Sequence, residues 1–132
     1  MADYSAVLGS KAFDGLVSDT NPAVKVAPGK IRKLGTAATL TRGTILAKSS
    51  GTAGDGKLVV LGNTAASNET LTAYCILTED TAVGTANDVN AAVYVCGCFD
   101  LSKCTVKSGY TITEADKDAL RDGGVFFRPV QA

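Results

Sequence analysis

The chain has 132 residues, and 13 Lys and Arg balance 13 Asp and Glu, so its formal charge is zero. That length suits one domain with room for a tail, and the neutral balance argues against a protein that tracks nucleic-acid phosphates. No run of about 18 apolar residues could span a membrane, no charged-then-apolar leader opens the chain, and the absence of His and Trp removes Ser-His and Cys-His nucleophile pairs and the commonest transition-metal ligand.

Residues 1–22 read as an arm and residues 23–132 as a β-rich domain. In the arm, Tyr4, Val7, Leu8, Phe13, Leu16 and Val17 are separated by Gly9, Ser10, Asp14, Gly15 and Ser18. Neither a 3.6 nor a 2.0 period is sustained. The bland reading is a floppy terminus; a solvated linker does not normally keep two aromatics and several aliphatics, so the expectation set against it is a segment that orders against a partner. Tyr4, Val7, Leu8, Phe13 and Leu16 are its candidate contact residues.

Pro22 and Pro28-Gly29 then punctuate the chain, with a short alternating strand at Val24 and Val26 between them. Leu40 to Lys48 predicts a strand broken at Gly43. Ser49 to Gly56 is a Gly- and Ser-rich loop, and Lys57 to Leu61 a short apolar strand. Leu71 to Leu77 predicts a strand with Leu71, Ala73, Cys75 and Leu77 on one face and Thr72, Tyr74 and Ile76 on the other. Asp80 to Asn90 is a polar connection. Ala91 to Phe99, centred on Val93-Tyr94-Val95, is the strongest strand signal, and Thr105-Val106 is a brief extended piece. One helix is expected. Thr113 is its N-cap, Asp116 stands three residues on, acidic residues fill the first turn, and Gly123-Gly124 ends it. Val125 to Arg128 returns as a strand that Pro129 stops. With 14 Gly, 45% hydrophobic and only 6% aromatic residues, the core should be thin and aliphatic. Such a core in a small chain gains stability by oligomerising.

Chemistry-bearing motifs are few. Gly51 to Lys57 (Gly-Thr-Ala-Gly-Asp-Gly-Lys) almost fits a phosphate-binding loop. The pattern needs Ser or Thr next and a helix after it. Leu58 and a strand-like run follow instead, which favours a glycine-rich hairpin loop. Cys75, Cys96, Cys98 and Cys104 can be buried free thiols, which behave as small hydrophobes, or part of a disulfide or metal site. No catalytic residue, cofactor site or metal site is assigned.

Several stretches in the second half resemble a known family. Leu40-Thr-Arg-Gly-Thr-Ile-Leu46, Cys75-Ile-Leu-Thr-Glu-Asp80, Ala92-Val-Tyr-Val-Cys-Gly97, Tyr110-Thr-Ile-Thr113 and Ala119-Leu-Arg-Asp-Gly-Gly-Val-Phe-Phe127 are similar, in order and spacing, to motifs of the head decoration proteins of lambda-like tailed phages. The likeness covers roughly residues 24 to 128. It implies a mainly β, β-clip-like fold: a bent ribbon closing into a partial barrel with one short C-terminal helix. It also implies a homotrimer that clamps the major capsid protein on the outer surface of the expanded head shell, after assembly in the host cytoplasm, and resists the pressure of packed DNA. No catalysis, cofactor, direct nucleic-acid contact or membrane is implied. A rival reading is a β-rich interaction subunit of another oligomeric assembly.

Overall fold

The longest strand organises the molecule. In the computed structural model, which describes residues 15–19 and 22–128, β8 (Val89–Phe99) runs for eleven residues. Its neighbours are β1 (Val17–Asp19), β2 (Lys25–Ile31), β6 (Thr70–Leu77) and β9 (Val125–Phe127). β4 (Ile45–Ser50) and β5 (Leu58–Val60) complete a ring in the order β8-β2-β5-β4-β6 and back to β8. All its seams are antiparallel except the thinnest, where β2 and β5 share one parallel pair, Ile31 with Leu58. The result is a partial five-stranded barrel with one C-terminal helix, α1 (Glu114–Gly123), in agreement with the expected fold class. β3 (Ala38–Leu40) and β7 (Thr81–Val83) form a separate two-stranded sheet.

Two apolar clusters follow from this closure. Ile31, Leu46, Leu58, Cys75, Leu77, Val83 and Val93 pack together. They come from all five barrel strands and from β7, so they fill the barrel. Leu16, Ile45, Ala47, Ile76, Phe99, Leu120 and Val125 belong to the second cluster, which fixes α1 on the outer wall. Adjacent residues of β4 thus serve opposite sides: Leu46 inward, Ile45 and Ala47 outward.

β6 departs from the predicted alternation. Leu46 pairs with Cys75, but Ala47 pairs with Ala73, which leaves Tyr74 as an extra residue. A bulge of this kind flips the facing of everything on one side of it. Ala73 therefore packs with Ile76 in the outer cluster, and Leu71 lies against it, whereas Cys75 and Leu77 enter the barrel. Tyr74 is turned outward and is 41% exposed. The Lys48 ammonium stands 5.0 Å from its ring centre.

β2 also corrects the expectation, because it runs straight through Pro28-Gly29. Pro28 faces Ala92, whose carbonyl accepts from the Thr78 hydroxyl on the opposite flank at 2.9 Å. Pro28 and Ala92 thus form a non-hydrogen-bonded pair, and the missing N–H falls on the open edge of β2 where no ladder needs it. Gly29 lets β5 approach: a Cβ there would lie 2.6 Å from Leu58 Cδ1.

The helix agrees with its sequence signals. The Thr113 hydroxyl accepts from the Asp116 N–H at 3.1 Å, and an Asp116 carboxylate oxygen accepts from the Thr113 N–H at 3.0 Å. The Tyr110 hydroxyl donates to that same oxygen, which raises the Tyr110 pKa. Gly124 closes the helix in the left-handed conformation.

Candidate interaction surface

The expected arm contacts divide at the edge of the described residues. Tyr4, Val7, Leu8 and Phe13 lie outside them. Leu16 lies inside, and its position requires a correction. Its side chain is 1% exposed and belongs to the outer cluster with Ile45, Phe99 and Leu120. Its carbonyl accepts from the Asp100 N–H at 2.8 Å. Leu16 is therefore a core residue of the subunit, not a contact held out for a partner. The chain passes over Gly43 there; a Cβ on Gly43 would stand 3.4 Å from Leu16 Cδ1 and 2.8 Å from the Lys103 carbonyl. Residues 17–19 follow as β1, with Val17 opposite Phe99 and Asp19 opposite Cys98. β9 takes the other edge of the same residues of β8, and Arg128 reaches across to Asp19 at 2.9 Å. Periodicity could not reveal β1, because three residues are too few to set a period.

The glycine-rich Gly51–Lys57 segment is a β4–β5 connection and leads into a strand, so it lacks the helix that a phosphate loop needs. Its polar groups are engaged by the chain itself. Asp55 accepts from Arg32 Nη2 at 2.9 Å and Nε at 3.2 Å, and Glu69 accepts from Arg32 Nη2 at 2.6 Å. The Ser49 hydroxyl also donates to Glu69, whose side chain is only 3% exposed. Hydrogen bonds from the Ala66 N–H, Ser49 and Arg32 hold the Glu69 carboxyl down at about 2, and the Arg32 guanidinium does the same for Asp55. Lys57 pairs with Asp88 at 2.7 Å. The network ties the loop to the ends of β2 and β6. Asp55 and Lys57 stood out in the sequence only as part of the near phosphate loop, and Arg32, Glu69 and Asp88 gave no signal, because the partners are up to 37 positions apart.

All four cysteines are free thiols. Burial pushes the Cys75 thiol up to about 12 and the Cys104 thiol to the same range, so neither is a thiolate near neutral pH. The Cys98 sulfur lies 3.5 Å from the Ser18 hydroxyl. Among the described residues no three His, Cys, Asp or Glu side chains converge on a possible metal position, and no helix is long and apolar enough to cross a membrane.

What remains for partners is surface. Among the described residues, Val24, Val26, Tyr74 and Phe126 are the large apolar side chains left exposed. A family model for bacteriophage lambda head decoration protein D matches residues 8–126. The chain belongs to this family. It is a phage head decoration protein, a structural protein of the virion located on the capsid. The match starts at Leu8 and ends at Phe126, so it takes in β1 to β8 and all of β9 but its last residue, Phe127. Among curated proteins, no match was found.

Proposed function

We propose that this decoration protein cements the expanded head shell as a homotrimer on its outer surface, and that residues 1–14 are the clamp. Each arm would add a strand to a sheet edge of the major capsid protein and so help the shell to resist the internal pressure of packed DNA. The observation that carries this reading is the family match extending to residue 8, joined to a firmly rooted arm. Leu16 is buried and β1 is paired, so a pull on the arm is borne by the sheet.

The energetics set which residues matter. A main-chain hydrogen bond contributes a net ~1 kcal/mol, whereas ordering a residue's backbone costs about 1–2 kcal/mol. Strand pairing alone breaks even or loses. Burying Tyr4, Val7, Leu8 or Phe13 adds up to about 1.5–3 kcal/mol each, and that decides the sign. Three arms on one trimer act at high effective concentration, so modest contacts sum to tight attachment.

Deletion of residues 1–14 tests this. The truncated protein should keep its trimer and its thermal midpoint but fail to bind expanded shells in a sedimentation assay. Normal shell binding by the truncated protein rejects the arm as the clamp, and a wild-type monomer by light scattering rejects the trimer.

A further inference from the structure

A cavity of about 350 Å³ is lined by Arg32, Lys33, Leu34, Val59, Leu71 and Lys107, among others. Its character is mixed: aliphatic side chains, the polar Asn63 and Thr64, and three cations. Arg32 is held in place by Asp55 and Glu69, which occupy its Nε and Nη2. Its Nη1 has no partner among the described residues. Lys33 and Lys107 form no ion pair among the described residues either, and both are exposed.

The surrounding carboxylates are already engaged. Asp55 and Glu69 belong to Arg32, and Asp88 takes the Lys57 ammonium and the Lys33 N–H. Arg32, Lys33, Lys57 and Lys107 stand against Asp55, Glu69 and Asp88, a net charge of one positive unit, and Lys33 and Lys107 are the cations at the cavity mouth that no carboxylate pairs. A polyanion laid across this region would also meet Asp55, Glu69 and Asp88. A single carboxylate on a partly apolar segment matches the one net positive charge and the aliphatic wall.

We propose that this cavity is a docking pocket for an acidic side chain of the capsid shell, with Lys33 and Lys107 as its ion-pair partners and Arg32 as a fixed third donor. The proposal rests on the reading that the protein binds expanded shells. It adds a contact on the folded body to the one made by the arm. Charge complementarity of this kind sets orientation and specificity as well as adhesion.

The test is binding of the full-length protein to expanded shells stripped of decoration protein, at about 50 mM and about 0.3 M salt. The wild type should bind, and more tightly at the lower salt. Lys33→Glu/Lys107→Glu should bind at least about tenfold more weakly at low salt, with a flatter salt dependence. Lys33→Arg/Lys107→Arg should behave as wild type. Both lysines are at the surface, so an unchanged thermal midpoint shows that the fold is intact. Wild-type-like binding by the charge-reversed protein overturns the pocket and leaves the arm reading standing. Failure of the wild type to bind shells overturns both. Loss of binding in the Glu variant that duplex DNA reproduces by competing with wild type at low salt would assign the cations to nucleic acid and also overturn the proposal.

Discussion

Leu16→Ala separates core from clamp in a single substitution. The side chain is 1% exposed, packed with Ile45, Phe99 and Leu120 and seated over Gly43. Truncating a buried leucine costs about 2–5 kcal/mol, the spread depending on how far the site collapses. Here β1 is a three-residue edge strand, which can settle inward and fill part of the space. The lower part of the range is expected, about 2–3 kcal/mol. For a domain of this size each kcal/mol moves the thermal midpoint by about 3–5 °C. The expected drop is thus roughly 6–15 °C, measured by calorimetry at one fixed protein concentration because the protein is proposed to be oligomeric. Phe13→Ala is the control. It should leave the midpoint within about 2 °C of wild type, as surface changes do, and weaken shell binding instead. If Leu16→Ala melts with the wild type, or Phe13→Ala melts as low as Leu16→Ala, the division between core and arm drawn at residues 14–16 is wrong.

Acid should loosen the loop network. Glu69 and Asp55 titrate near 2 in the fold against ordinary values of 4.5 and 3.8. A depressed native pKa gives stability that is fully present above the unfolded value and is lost as pH falls through the native one. The thermal midpoint should therefore be flat above about pH 5 and fall between about pH 4.5 and 2. Glu69→Gln should lower the plateau and flatten that fall; an unchanged acid slope refutes the assignment. Alkylation of the native protein at pH 8 should leave Cys75 and Cys104 unmodified, while the denatured protein takes up four labels. Rapid native labelling of Cys75, read by peptide mass spectrometry, contradicts its burial.

Several elements were legible because their determinants are local. Thr113, Asp116 and the Gly pair at 123–124 bracket α1, and each acts within a few residues of the helix end it governs. The run from Ala91 to Phe99 announced β8 through β-branched and aromatic density. The mainly β class and the family resemblance followed from the order of such short motifs. The contact roles of Tyr4, Val7, Leu8 and Phe13 are a reading of composition.

What tertiary structure decided has a common physical cause. The facing of Leu71 and Ala73 depends on the bulge at Tyr74, which exists only because β4 and β6 pair with unequal residue counts. Pro28 sits inside a strand because the edge its missing N–H faces happens to be open. Leu16 left the arm because Phe99 and Leu120, far along the chain, offered it a place in the core. Arg32, Asp55 and Glu69 became one network through contacts across 23 and 37 residues. The order of residues specifies what each short segment can do by itself. Which groups meet is set by closure of the barrel, a cooperative long-range event that no local window of the chain contains.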